Sequence, residues 1–138
     1  MRKLPADLMR ALAKAGVKPK SSKYRAVPTV VDGIRFDSKA EAEYYRRLKL
    51  QQENGEVWFF LRQVPFDLPG GYRHRIDFMV IDATSEYDRF MLIEIKGKDV
   101  ATGKMKRKQV EELYGIKVHV LKAVYRRGVI VDFEEVES

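Results

Sequence analysis

The spacing of apolar residues changes between a helical period and a strand period along the chain, and this change predicts its secondary structure. Helical spacing predicts helices over 5–15, 37–48 and 103–114. Runs rich in β-branched and aromatic residues predict strands over 57–64, 72–82, 90–96, 117–124 and 129–133. Asp32-Gly33 predicts the turn of a short hairpin over 29–36. This order predicts a mixed α/β sheet with helices packed on it and a parallel crossover between 90 and 124.

The helix predicted over 37–48 begins with a candidate acidic residue. Ser38 followed three residues later by Glu41 matches a capping box, in which both side chains bond the first backbone N–H groups. On a helical wheel Glu41 lies on the same side as Tyr44 and Leu48, whereas Glu43 points elsewhere. Glu41 therefore heads the face that is expected to be buried.

Three polar residues lie in strands that should be apolar. Residues 76–81 are apolar on both alternating faces except at Asp77, which predicts a central strand covered on both sides. Glu94 and Lys96 share one face at the end of the strand over 90–96. In a hairpin centred near residue 86, partner numbers sum to about 172, and those of Asp77 and Glu94 sum to 171. We therefore expect Asp77 and Glu94 to be neighbours.

Two carboxylates beside a lysine have two interpretations. They form an oxygen-rich pocket that suits magnesium, which keeps several waters and binds phosphate. The lysine would then position or deprotonate a water, or stabilise developing charge. The alternative is a structural ion pair between Glu94 and Lys96 with Asp77 as a further partner. The aspartate on the preceding strand and the basic clusters around it favour the first interpretation.

Residues 31–122 resemble the PD-(D/E)xK nuclease superfamily, and in particular small phage endonucleases related to archaeal-type Holliday junction resolvases. The resemblance lies first in Asp77, which is followed after sixteen residues by Glu94-Ile95-Lys96. It lies also in four short segments that occur in the order and spacing of the family. These segments are VDGIRFDSKAEAEYY from residue 31, RIDF from 75, IEIKG from 93 and KRKQ from 106. The chain departs from the superfamily pattern at Ile76, where proline is usual.

The resemblance implies a restriction-endonuclease-like mixed central sheet flanked by helices, and a role for each matching residue. Asp77 and Glu94 are implied as metal ligands, together with the backbone carbonyl of Ile95. Lys96 is implied as the catalytic lysine. Glu41 is implied as a helix carboxylate near the metal, which is an alternative to its role in the capping box. The implied cofactor is Mg²⁺, with Mn²⁺ as a substitute.

The distribution of charge predicts a nucleic-acid partner. The net charge is +7, and residues 1–26 hold eight basic residues and one acidic residue, whereas the remainder is neutral. A basic N-terminal arm over 1–26 and a nuclease domain over 27–138 are therefore predicted, because Lys and Arg displace counterions from phosphates. The candidate DNA-binding residues are Lys18, Lys20, Lys23, Arg25, Arg73, Arg75, Lys98, Lys104, Lys106, Arg107 and Lys108. The acidic residues over 132–137 predict a solvated, frayed end.

Composition narrows the remaining possibilities. The chain has no cysteine and two histidines, so thiolate chemistry is excluded and a histidine-rich metal site is not expected. No apolar run reaches about 18 residues and no secretory signal is visible, so a cytoplasmic location and no membrane span are expected. His74 and His119 are interpreted as strand surface residues, Tyr44 as a core residue, and Gln63 as a weak candidate for approaching the site.

The expected function is magnesium-dependent hydrolysis of branched DNA by a homodimer, because two cuts across a four-way junction need two active sites. One alternative is a less selective phage nuclease or nickase that acts on duplex DNA. An alternative of another class is a non-catalytic DNA-binding module in which the acidic pocket is only structural.

Overall fold

The computed structural model describes residues 28–84, 86, 89–97 and 101–137. The strands are β1 (Thr29–Val31), β2 (Ile34–Phe36), β3 (Val57–Leu68), β4 (Tyr72–Asp82), β5 (Phe90–Ile95), β6 (Val118–Arg126) and β7 (Val129–Val136). The helices are α1 (Lys39–Glu53) and α2 (Ala101–Tyr114), and Pro69–Gly71 form a single 3₁₀ turn. The helix predicted over 5–15 lies outside the described residues. Neither α1 nor α2 is long and apolar enough to cross a lipid bilayer.

The chain divides at Glu43 into two compact units. In the first, β1 and β2 form the predicted antiparallel hairpin, in which Thr29 pairs with Phe36. Both turn residues have a positive φ, 52° for Asp32 and 75° for Gly33, which is the backbone geometry that a two-residue hairpin requires. The Glu41 N–H donates to Ser38 Oγ at 3.1 Å, so the predicted cap of α1 by Ser38 is confirmed.

The second unit, residues 44–138, contains a five-stranded sheet in the order β3-β4-β5-β6-β7. Four neighbouring pairs are formed, of which β5 and β6 are parallel and the others antiparallel. The helix α2 lies between the two parallel strands in sequence, as the predicted crossover requires. The α/β prediction is therefore confirmed, and the mixed sheet is compatible with a restriction-endonuclease-like fold.

The register of β4 and β5 is the one predicted from the hairpin. Phe78 pairs with Ile93 and Met79 with Leu92, so partner numbers sum to 171 throughout the ladder. The ladder ends at Phe78 and Ile93, and the next two residues towards the open end are Asp77 and Glu94. The two candidate carboxylates therefore lie where these strands stop pairing.

The core of the second unit has two layers. In one layer the Phe78 ring lies 5.2 Å from that of Tyr44 and 6.3 Å from that of Phe60, measured between centroids. In the other layer Ile76 and Leu92 pack with Val110 of α2. Burial raises the pKa of Tyr44 to about 12, so its hydroxyl stays neutral, and its prediction as a core residue is confirmed.

The regular alternation of side chains is broken in the middle of β3 and β4. Ile76 and Phe78 are two residues apart and should share a face, but they pack in opposite layers. The same change occurs on β3, where Phe60 packs with Phe78 and Val64 packs with the Ile76 layer. The residues at the two breaks are Gln63 and Asp77, which lie between two successive pairs of the ladder, Arg62 with Phe78 and Val64 with Ile76.

Two elements differ from the sequence prediction in length. The strand β3 continues through Pro65 to Leu68, which is possible because β3 is an edge strand and one of its sides needs no N–H donor. The strand β7 continues to Val136, so the expectation of a frayed acidic end is wrong for residues 132–136. Glu135 accepts a 2.6 Å hydrogen bond from His119 and lies 3.6 Å from Lys117 Nζ. These partners hold the acidic segment on β6.

Replacement of Phe78 by alanine should lower the free energy of unfolding by about 3–5 kcal/mol, because it leaves a cavity between Tyr44 and Phe60. Chemical denaturation of the purified protein measures this change. The control is Phe59→Ala, because Phe59 is 47% exposed and its replacement should cost far less. Equal losses in the two variants would contradict the assignment of Phe78 to the core.

Candidate active site

Asp77 and Glu94 lie side by side at the open end of β4 and β5. The Asp77 Oδ2 atom accepts a 2.9 Å hydrogen bond from the Ile95 N–H. The carboxylate therefore takes the place of a backbone acceptor where the ladder has ended. Glu94 is buried, with 9% of its surface exposed, which is unusual for a carboxylate without strong partners.

The environment of Asp77 disfavours its charge. The pKa of Asp77 is raised from 3.8 to about 6, chiefly by burial and to a smaller extent by the negative charge of Glu94. Three groups act in the opposite direction, namely the Ile95 N–H, the Gln63 carboxamide and the charge of His74. Because their combined effect is smaller, the pair retains an excess of negative charge that a cation would relieve.

Gln63 contacts Asp77 from the neighbouring strand β3. Its Nε2 atom donates to Asp77 Oδ1 at 3.4 Å. The backbone of Gln63 has a φ of 50°, which is uncommon for a residue with a side chain, particularly inside a strand. Strained conformations of this kind concentrate at functional sites. Gln63 therefore lies beside Asp77, as the sequence predicted, and its role there stays a prediction.

Glu94 is bonded through both carboxylate oxygens to residues that the sequence prediction placed elsewhere. Glu94 Oε1 is hydrogen-bonded to His74 Nε2, and Arg107 Nη1 lies 3.3 Å from Glu94 Oε2. The side chain of Arg107 is only 5% exposed and that of His74 is 16% exposed. His74 is therefore not a surface residue, and the expectation that Arg107 belongs to an exposed DNA-binding surface is wrong.

The sequence contains a signal for the buried position of Arg107 but none for that of His74. Strand alternation would place His74 and Asp77 on opposite faces, and only the break at Asp77 brings His74 to Glu94. For Arg107 a usable signal exists, because it lies three residues before Val110, which is fully buried. Residues three apart share a helix face, so this spacing places Arg107 on the buried side of α2.

The other two candidate catalytic residues lie at the ends of elements. Lys96 is exposed and directly follows β5, and its N–H donates to the Leu121 carbonyl at 2.7 Å. Its backbone is therefore held to β6 just beyond Glu94. Glu41 lies in the first turn of α1 and in the first unit of the chain. Its role at a metal stays a prediction.

The acidic pair fits a hard cation such as Mg²⁺. Within the described ranges no group of three or more histidine, aspartate or glutamate side chains is arranged to hold a metal ion. Mg²⁺ does not need such a group, because it binds through one or two carboxylates and completes its octahedron with water and phosphate oxygens. Asp77 and Glu94, with the Ile95 carbonyl as the implied third ligand, satisfy that requirement.

The remaining candidate DNA-binding residues are partly in view. Lys104 and Lys108 are exposed on α2, and Lys106 Nζ lies 6.0 Å from the centre of the Tyr72 ring. Arg75 is exposed on β4, whereas Arg73 is exposed but bonded to Asp67 at 2.9 Å. Five candidates lie outside the described residues, namely Lys18, Lys20, Lys23, Arg25 and Lys98.

The comparison with known proteins assigns a family to most of the chain but no activity. No curated protein matches the chain. The model of a family described as "Protein of unknown function (DUF1064)" matches residues 21–127, which include every described residue of the acidic pair and its partners. Because this match covers more than half of the sequence, the chain belongs to the DUF1064 family.

Proposed function

We propose that this protein is a magnesium-dependent endonuclease that hydrolyses phosphodiester bonds in branched DNA, as a Holliday junction resolvase does. The observation that carries the proposal is the pair of part-buried Asp77 and buried Glu94 at the end of the β4–β5 ladder, with Lys96 two residues further on. Burial together with the charge of Glu94 raises the pKa of Asp77, and this excess negative charge favours a divalent cation.

The proposed chemistry divides among residues of the site. Asp77 and Glu94 would hold the cation with the Ile95 carbonyl, and Mn²⁺ is expected to substitute for Mg²⁺. A cation held there would supply stabilisation of charge on the scissile phosphate and a more acidic water. Lys96 extends from the end of β5, where its amine positions or deprotonates the attacking water or stabilises the developing charge. A role of Glu41 in this chemistry stays a prediction.

The proposed DNA surface uses basic residues on two elements that also carry residues of the site. These are Lys104, Lys106 and Lys108 on α2 and Arg75 on β4. Such residues bind phosphates and fix the position of the duplex without reading its sequence. A homodimer is proposed, because each chain has one candidate site and a junction is resolved by two cuts.

The variants Asp77→Asn and Glu94→Gln should each lower cleavage of a synthetic four-way junction in Mg²⁺ by about 100-fold or more, because each removes a proposed metal ligand. Junction binding in Ca²⁺ should remain. The control is Asp82→Asn on the same strand, because Asp82 accepts hydrogen bonds from Thr84 at the far end of β4. Full cleavage by both site variants would refute the assignment.

The substrate class is tested with a four-way junction and a linear duplex of the same sequence. We expect faster cleavage of the junction, with paired cuts in opposite strands, because two sites of a dimer would face two equivalent strands. Equal rates would favour the less selective nuclease. A protein that binds DNA but shows no Mg²⁺-dependent cleavage, and in which Lys96→Ala weakens only salt-sensitive binding, would favour the non-catalytic module.

The raised pKa of Asp77 makes a prediction about the metal-free protein. Because the folded-state pKa of about 6 lies above the ordinary value of 3.8, the folded state binds the proton more tightly than the unfolded state. This carboxyl therefore destabilises the fold increasingly as the pH rises from about 4 to 6, by up to about 3 kcal/mol.

Asp77→Asn removes that penalty. In EDTA, the free energy of unfolding of the variant relative to the native sequence should rise between pH 4 and pH 7, as measured by denaturation at each pH. Addition of Mg²⁺ should stabilise the native sequence and not the variant. Parallel curves for the two proteins across this pH range would show that Asp77 is not under electrostatic strain.

A further inference from the structure

Glu94 is held by a protein donor at each of its two carboxylate oxygens. His74 Nε2 is bonded to Oε1, and Arg107 Nη1 is bonded to Oε2 at 3.3 Å. The three side chains are between 5% and 16% exposed, so their charges interact with little screening by water. The donors come from two different elements, His74 from β4 and Arg107 from α2.

This arrangement leaves Glu94 able to bind a cation. Each carboxylate oxygen has two lone pairs, so each accepts one hydrogen bond and keeps one lone pair available. Two donors at two oxygens fix the plane of the Glu94 carboxylate.

We propose that Arg107 and His74 are positioning residues that hold the Glu94 carboxylate in the orientation in which it binds a divalent cation. This inference rests on the proposed function. It adds two residues to the site beyond Asp77, Glu94 and Lys96. Carboxylates that bind metals are themselves commonly hydrogen-bonded, and loss of such a partner typically weakens metal binding by about 10–100-fold. The same loss is expected here.

The placement of Arg107 also connects the cation site to the proposed DNA surface. Lys104 and Lys108 are exposed on α2, whereas Arg107 is buried against Glu94. One helix therefore presents lysines to solvent and a guanidinium to the acidic pair. A displacement of α2 on binding DNA would alter the Arg107–Glu94 contact directly.

The experiment is titration calorimetry of Mn²⁺ binding in the absence of DNA, with thermal unfolding of each variant recorded alongside. Arg107→Met and His74→Ala should raise the dissociation constant for Mn²⁺ by about 10–100-fold. Arg107→Lys, which keeps the charge but loses the planar donor pair, and His74→Gln, which keeps a donor, should have smaller effects. In cleavage assays the Mn²⁺ concentration at half-maximal rate should rise, with the rate at saturating Mn²⁺ largely retained.

Matched controls come from comparable pairs elsewhere in the second unit. Arg47 lies 3.8 Å from Asp132, and His119 is bonded to Glu135 at 2.6 Å. Arg47→Met and His119→Ala therefore remove an arginine or a histidine from a carboxylate that belongs to neither member of the acidic pair. Both controls should shift thermal unfolding without changing the Mn²⁺ affinity.

The possible outcomes separate this inference from the proposed function. Unchanged Mn²⁺ affinity in folded Arg107 and His74 variants would overturn the inference and leave the metal site intact. Tighter Mn²⁺ binding by Arg107→Met would also overturn it, because Arg107 would then compete with the cation. If Arg107→Met does not fold, the Mn²⁺ affinities of Arg107→Lys and His74→Gln test the inference instead.

Failure of the proposed function has a different signature. If the native protein binds Mn²⁺ but does not cleave DNA, the proposed nuclease function is contradicted. The positioning of Glu94 can still be tested by the Mn²⁺ affinity of the variants. A native protein that binds no Mn²⁺ contradicts the metal site and this inference together.

Discussion

The burial of two neighbouring carboxylates is the constraint on which the surrounding arrangement depends. Each oxygen of Asp77 and Glu94 is bonded to a protein donor, from Ile95 and Gln63 on one side and from His74 and Arg107 on the other. Even so, the pKa of Asp77 is raised to about 6, mainly by burial. The donors orient both groups but do not neutralise them, and this is the condition in which a divalent cation is bound strongly.

The backbone at this point departs from regular sheet geometry in a way that assembles the site. Gln63 adopts a positive φ opposite Asp77, and side-chain alternation changes at both positions. As a result the residues before Asp77 face α2, which brings His74 to Glu94 and Ile76 to Val110. Strain in a strand is tolerated when packing on both sides fixes it, and here the aromatic layer and the α2 layer provide that packing.

Local patterns in the sequence predicted the elements and the register, but they did not predict the partners of the acidic pair. Apolar runs predict the strands β4 and β5, and turn residues predict the Asp32-Gly33 hairpin. The length of the loop between β4 and β5 predicts their register, in which partner residue numbers sum to 171. The position of His74 depends on a break in alternation caused by tertiary packing, which a period of two cannot represent. Arg107 was grouped with adjacent lysines by charge, although its spacing from Val110 indicates the buried face. A charge cluster on a helix must therefore be divided by face before a ligand is assigned to it.

A second carboxylate in the same sheet shows how a structural ion pair differs from the Asp77 site. Glu135 is exposed on β7, and the hydrogen bond from His119, together with the charges of His119 and Lys117, lowers its pKa. Its partners therefore stabilise the charged form more than its surroundings oppose it, as expected of an interaction that supports folding. At Asp77 the balance is reversed, because burial raises its pKa more than the Ile95 N–H, the Gln63 carboxamide and the charge of His74 lower it, and the charge of the neighbouring Glu94 adds to the rise. An arrangement that keeps two like charges together at a cost in stability is more readily explained by a cation-binding role than by a structural one.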